Sequence, residues 1–435
     1  MIRQPAPKAD VLARRDLIVA GLARLLPRDG VIAEPVRLRA YETDGLAAYR
    51  QVPLAVVLPE TTEQVAAVLR YCHQNGVRVV PRGAGTSLSG GALPMADAIV
   101  LGLMRMNRIL DIDYADRCAT VQAGVTNIGI SNAVSGQGFF YAPDPSSQLA
   151  CMIGGNVAMN SGGAHCLKYG VTANNLLGLT IVTIEGEITH IGGAHLDAAG
   201  YDWIGLLTGS EGQLAVVTEV IVRILHGPEG ARAMLAAFRS NEVAGACVAA
   251  IMASGIIPVA LEFMDRPAIH ACEAFAHAGY PLDAEALLII EVEGCVAEQD
   301  DLLQRLSAVC HHFDPISLKV SGSAEESAAI WKGRKGAFCA VGRISPDYLC
   351  MDGVIPTSRL PDVLGRIAAM SDICGLKVAN IFHAGDGNLH PLIMFDANDP
   401  ASLATAEHFG ADILRLCVEV GGCLTGEHGV GVEKR

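Results

Sequence analysis

From Leu54 to about Leu225 short apolar runs alternate with amphipathic segments and glycine-dense turns. Residues 62–75 repeat apolar positions at helical spacing. Thr61 and Gln64 form a capping-box pattern ahead of them and Gly76 stands at the stop, so a helix is predicted there. A strand over 77–80 follows, then strands over 98–103, 109–113, 119–124 and 221–225. Arg14, Arg15 and Arg24 interrupt apolar positions behind Asp10, which reads as an amphipathic helix capped by Asp10 and not as a signal peptide.

Gly227, Pro228 and Gly230 mark a change of rhythm. Beyond them the pattern predicts a helix over 243–253, a strand over 259–264, a helix near 267–277 and a strand over 286–293. A helix near 298–311 and a strand over 317–321 come next. Residues 243–261 carry no charge and nearly reach membrane-spanning length, but Ser254, Gly255 and Pro258 break them, so a buried helix, a turn and a strand are expected. The boundaries read as a helical extension over 1–50, a first domain over 51–227 and a second over 228–435.

The 435 residues are 51% hydrophobic and carry a formal net charge of -14. A core of that size needs two or three domains, and the acidic balance opposes non-specific nucleic-acid binding and a polybasic membrane patch. An anionic substrate would need local positive charge. Thirteen cysteines without a C-x-x-C pair encode neither a zinc ribbon nor an iron–sulfur cluster, and they suit reduced thiols in a cytoplasmic setting.

Residues 81–91 read Pro-Arg-Gly-Ala-Gly-Thr-Ser-Leu-Ser-Gly-Gly and leave the end of a predicted strand. Glycines let backbone amides close around an anion, so the segment suits a pyrophosphate, with an ordinary surface loop as the alternative. A Rossmann fingerprint fails because Leu88 stands where its third glycine belongs, and a Walker loop fails because Gly91 replaces the lysine. Further glycine-dense loops are expected over 153–163 and 209–212, with Pro143 to Gln148 before them.

In the second half, Asp386-Gly387 is a two-residue hairpin signal between apolar runs. Centring the turn there pairs Ala384 with Leu389 and His383 directly with His390, on one face, with Cβ atoms roughly 4.5 to 5.5 Å apart. Two such imidazoles either play a structural part or bind one divalent metal. Glu427, in the glycine-punctuated loop 425–431, is the candidate third ligand. Two histidines, a glutamate and an open position suit a catalytic zinc, and iron or manganese also fits. Arg334 reads as a carboxylate grip or a solvated helix charge. Asn388 either hydrogen-bonds substrate or shapes the hairpin.

Taken together, 81–91, 143–148, 153–163 and 209–219 resemble the FAD-binding (PCMH-type) domain of the vanillyl-alcohol-oxidase superfamily. The branch is that of the glycolate oxidase FAD subunit, near the D-lactate and D-2-hydroxyglutarate dehydrogenases. The resemblance runs from about Arg39 to Arg435 and implies an α+β, two-domain flavoprotein with an α/β substrate cap. It implies FAD contacts from Pro81, Arg82, Gly83, Ala84, Gly85, Thr86, Ser87, Gly90 and Gly91, and from Pro143, Asp144, Pro145, Ser146 and Ser147. Gly154, Gly155, Asn160, Gly162, Gly163, Glu211 and Gly212 complete that set. Members that tether the flavin through this loop carry a histidine near Thr86, so non-covalent FAD is expected.

The same resemblance makes His383, His390 and Glu427 metal ligands, His428 the base and Arg334 the substrate-carboxylate residue. It implies oxidation of a 2-hydroxy acid, with hydride passing to the flavin. Phe338 and Cys350 stand where a dicarboxylate would need gripping, which favours glycolate or D-lactate. Relatives continue past the Glu-His loop with a tail, so a C-terminal truncation is expected. The implied partners are a second FAD-type subunit and an iron–sulfur subunit leading to quinone, with at most peripheral association at the inner membrane. Two other readings stand beside this one: a non-redox flavoenzyme resembling alkyl-glycerone-phosphate synthase, and a structural FAD subunit.

Overall fold

The computed structural model describes residues 4–195 and 200–435, which divide into two compact units. The first comprises residues 2–162, 170–227 and 427–435. It holds β1 (Val31–Ile32), β2 (Ala55–Val57), β3 (Arg78–Arg82) and β4 (Ala98–Gly102), then β5 (Ile109–Asp113), β6 (Cys118–Gln122) and β7 (Phe139–Phe140). β8 (Leu176–Val182), β9 (Ile188–Gly192), β10 (Val216–Arg223) and β11 (Leu225–His226) follow.

β1-β2-β4-β3 form one sheet in which β4 runs parallel to both neighbours, and β5-β6-β10-β8-β9 form an antiparallel one. The helix α1 (Thr62–Asn75) connects β2 to β3, as a parallel crossover requires. Its Val65, Val68 and Leu69 are buried among Val57, Ile99 and Leu101. The Thr61 hydroxyl accepts the Gln64 amide and Gly76 closes the helix in the left-handed region, as the sequence predicts. The Gln64 side chain reaches the Glu60 amide at 2.7 Å, one residue before the position that a capping box requires.

Two expectations are corrected in this unit. The N-terminal segment forms two short helices, Ala9–Ala13 and Arg15–Leu22, and Asp10 lies in the first turn of the former, salt-bridged to Arg14, rather than at a cap. Residues 153–159, expected as a loop, form helix α2 (Ile153–Met159), closed by Asn160 in the left-handed region. Gly154 there serves packing: a Cβ on it would come within 2.7 Å of the Ala123 Cβ.

The second unit comprises residues 163–169 and 228–426. Its strands are β12 (Ala231–Phe238), β13 (Ala260–Asp265), β14 (Ala286–Glu293), β15 (Ser317–Val320), β16 (Asp347–Cys350), β17 (Val378–His383) and β18 (Pro391–Phe395). They make one antiparallel sheet in the order β15-β12-β14-β13-β17-β18-β16. Both β13 and β14 are buried along their whole length, and apolar residues fill all but two positions of each. α3 (Arg266–Ala276) and α4 (Ala324–Lys335) pack against this unit. Among the described residues no helix is long and apolar enough to cross a membrane, and 241–253 is a helix with most of one face buried.

Candidate active site

In the first unit the glycine-dense loop leaves β3. The Arg82 guanidinium does not face outward from it: the side chain is buried, donates to the Thr43 carbonyl at 2.7 Å and lies over the Tyr41 ring. Asp44 takes the amides of Leu46 and Ala92 and so closes the far end of the loop, while burial pushes its carboxyl up. Gly83, Ala84, Gly85, Thr86 and Ser87 are half-buried, Gly90 is buried, and the Ser87 hydroxyl accepts the Gly91 amide. Pro143 and Pro145 are buried, Asp144 and Ser147 half-buried, and Ser146 exposed. Space around Gly155 is open, with nothing within 4 Å of an added Cβ. The half-buried amides of a glycine loop beside an open helix face fit a pyrophosphate-bearing cofactor.

The same segments also grip the loop that carries Glu427 and His428. Ser89 donates its hydroxyl to the His428 carbonyl at 2.8 Å, and its own carbonyl accepts the amides of Val432 and Glu433. The Gly162 amide donates to Glu427 Oε2 at 2.8 Å. Glu211, held at φ 56°, accepts the amides of Val430 and Gly431 at 2.8 and 2.7 Å. Both Glu211 oxygens therefore serve this loop, a task that sequence reading did not assign. Glu427 Oε1 stands 3.8 Å from His428 Nε2. Asn160 spends its side-chain oxygen on the Ala173 amide, and Gly212 stays half-buried beside Pro81.

In the second unit the structure brings His383 and His390 together, though not in the expected register. β17 and β18 pair Asn380 with Pro391, and the same register pairs His383 with Asn388. The turn therefore spans Ala384 to Gly387, two residues longer than the Asp-Gly signal implies. The amides of Ala384 and Gly385 both donate to the Leu261 carbonyl of β13, which removes Ala384 from the hairpin ladder. A slip of two residues preserves facing, because side chains alternate with a period of two. His390 becomes the diagonal neighbour of His383, and the ring centroids lie 5.1 Å apart, edge to face.

Each imidazole is braced. His383 Nδ1 meets Glu262 Oε1 at 2.8 Å, and His390 Nδ1 meets the Met351 carbonyl at 3.4 Å with Asp352 Oδ1 at 4.0 Å. Asp352, fully buried, also accepts from the side chain of Asn388, the hydroxyl of Thr425 and the amide of Gly426. Asn388 Oδ1 is buried and receives no hydrogen bond among the described residues. Arg334 is buried on α4 and directs Nε and Nη2 at Glu262 Oε2, at 2.7 and 2.6 Å. It is neither solvated nor turned wholly toward a ligand. Gly163 belongs to this unit, in a segment whose His165 meets Glu291 at 2.9 Å and whose Lys168 meets Glu293 at 2.8 Å.

Sequence reading overlooked Glu262 and Asp352. The signal for Glu262 was available, since it is one carboxylate inside the otherwise apolar run Ala260 to Met264. Asp352 offered no comparable pattern.

Residues 227–435 match the family described as FAD linked oxidases, C-terminal domain, and residues 53–192 match the FAD binding domain family. The chain is 51% identical to glycolate oxidase subunit GlcD of Escherichia coli, over 97% of its own length and 84% of that protein. This chain belongs to the FAD-linked oxidases. It is an FAD-dependent oxidoreductase. GlcD of Bacillus subtilis is 38% identical over 91% of the chain and 84% of that protein. A D-lactate dehydrogenase of Anaerostipes hadrus is 30% identical over 89% and 84%. Among solved structures, an alkyldihydroxyacetonephosphate synthase superposes with a TM-score of 0.75 at 19% identity, over 98% of the chain and 83% of its own. That likeness, at such low identity, bears on the two-domain α+β fold alone.

Proposed function

We propose that the chain oxidises a small 2-hydroxy acid, glycolate or D-lactate, to the 2-oxo acid, with FAD held non-covalently and a divalent metal. The carrying observation is the identity to glycolate oxidase subunits together with the braced histidine pair. When bound, FAD supplies a hydride acceptor at N5 and the metal polarises the substrate hydroxyl.

The chain's own residues divide the rest of the work. Residues 83–87, 90–91, 143–147 and 154–155 hold the cofactor. His383, His390 and Glu427 serve as metal ligands. With Nδ1 of His383 donating to Glu262, its lone pair lies on Nε2, the nitrogen that would ligate. His428 takes the hydroxyl proton on its imidazole. Arg334 spends Nε and Nη2 on Glu262 and retains Nη1 for the substrate carboxylate. Asn388 Oδ1, which receives no hydrogen bond among the described residues, suits a substrate hydroxyl. Phe338, which packs beside Tyr348, and buried Cys350 offer no cation to a second carboxylate, which keeps the substrate small.

Electrons then pass to a partner, since the glycolate oxidase relatives are named as subunits. A second FAD-type subunit and an iron–sulfur subunit are the partners this reading requires. Anaerobic mixing of the flavin-loaded, metal-replete protein with glycolate and with D-lactate tests it. Rapid loss of the oxidised flavin absorbance is expected with one of them, and no bleaching by any 2-hydroxy acid would overturn the reading.

A further inference from the structure

Glu262 lies at the centre of β13, directly opposite His383 on β17, on the sheet face that α4 covers. Its side chain is completely buried, and it has two charged or chargeable neighbours, one on each oxygen. Oε1 faces His383 Nδ1 at 2.8 Å, and Oε2 receives both Nε and Nη2 of Arg334. We propose that Glu262 is a positioning residue shared by the two halves of the site, setting the tautomer of His383 and the aim of the Arg334 guanidinium with one carboxylate.

The chemistry leaves little freedom. An ionised carboxylate only accepts hydrogen bonds, so a neutral His383 carries its proton on Nδ1 and presents a lone pair at Nε2. The Arg334 guanidinium, directing Nε and Nη2 at Oε2, favours the ionised form of this buried carboxyl. Arg334 cannot lose its proton, so Oε2 is permanently committed to a donor. With Nε and Nη2 fixed, the guanidinium plane and the direction of Nη1 are fixed as well. Carboxylate–imidazole pairs of this type raise ligand basicity, and removing the outer partner typically costs ten- to a hundredfold in metal affinity.

An isosteric amide cannot replace this carboxylate, because E262Q faces two donors with one acceptor. If its oxygen turns to Arg334, its NH2 turns to His383, which must then accept at Nδ1 and carry its proton on Nε2, where it can no longer ligate. If the oxygen turns to His383, the NH2 opposes the guanidinium. Removing the guanidinium's demand by R334M frees the amide to turn its oxygen toward His383 and restores the ligating tautomer.

The inference rests on the metal reading above, and the two fail separately. Zinc titration against a competing chelator, on full-length flavin-loaded protein, is expected to show E262Q ten- to a hundredfold weaker than wild type with its flavin retained. E262Q/R334M is expected to return to within about threefold of R334M alone, while its KM stays high. Wild-type zinc affinity in E262Q, or no recovery in the double variant, overturns the proposal. Absence of zinc binding by the wild type overturns the metal reading instead. Should E262Q not fold, imidazole nitrogen–proton correlation NMR on wild-type protein decides the matter: His383 protonated on Nδ1 is expected, and protonation on Nε2 refutes the assignment.

Discussion

The carboxylate of Glu211 accepts the amide of Gly431 at 2.7 Å and that of Val430 at 2.8 Å, although 219 to 220 residues of sequence separate them. The contact fixes the backbone just beyond His428. Glu211 reaches it from φ 56°, a left-handed conformation that costs a non-glycine residue about 1 kcal/mol or more. E211A should therefore retain FAD but lose about ten- to a hundredfold in kcat, because a misplaced base costs that much. E211G should be equally slow yet melt higher than E211A, since glycine accepts the backbone conformation freely. Steady-state rates with a dye acceptor, flavin content and thermal midpoints check all four statements.

Gly387 also sits in the left-handed region, at φ 76°, and an added Cβ would lie 2.1 Å from the Ile355 carbonyl oxygen. That carbonyl belongs to a segment whose amide binds the Gly387 carbonyl in return, so neither can move alone. Gly375 has φ 75° but nothing within 4 Å of an added Cβ. G375A should cost roughly 1 kcal/mol, the conformational penalty alone. G387A should cost several times that and move the histidine pair. Urea unfolding of both variants gives the comparison, and equal losses would show that the close approach to Ile355 is unimportant.

Metal removal should separate the two cofactors. In the proposed reading the two imidazole ligands, His383 and His390, are braced by Glu262, Met351 and Asp352, none of which belongs to the FAD loops. Prolonged chelation should abolish flavin bleaching by substrate while leaving the bound-flavin spectrum unchanged, and added zinc or manganese should restore it. H390A should behave like chelated wild type and resist rescue. Bleaching at the wild-type rate after chelation would remove the metal from the mechanism.

The parts of the molecule that were legible in its sequence are those governed by local chemistry. Thr61 and Gly76 announce both ends of α1, and the strand over 286–293 appears at its predicted limits, because caps and apolar runs are local signals. The histidine pair was legible as a pair, since facing depends only on parity. Its register was not, because the Leu261 carbonyl competes for the Ala384 amide and lies more than a hundred residues away. Nor was the fate of Arg82 and Arg334 visible: an arginine beside a glycine loop looks like a phosphate ligand until a backbone carbonyl is found to hold it. Glu211 and Glu262 share this origin. Their roles are set by partners distant in sequence, which spacing cannot reveal.

Asp265 supplies a pH dependence with a definite sign. It caps α3 by accepting the Ala268 amide, and its other oxygen takes both the amide and the side-chain NH2 of Asn380 at 2.9 and 2.7 Å. Burial outweighs these hydrogen bonds and raises the carboxyl from 3.8 to about 6. The folded protein therefore holds this proton more tightly than the unfolded chain does. The stability it contributes is complete below about pH 4, falls as pH rises through 6, and is gone above that. The displacement is worth about 3 kcal/mol. D265N cannot ionise, and its loss of stability relative to wild type should shrink by about 2 kcal/mol between pH 4.5 and 7, the part of the displacement that this window spans. Every other titrating group is common to both proteins and cancels in the difference. Thermal midpoints of the pair across this range make the test, and parallel curves would show that Asp265 does not titrate with folding.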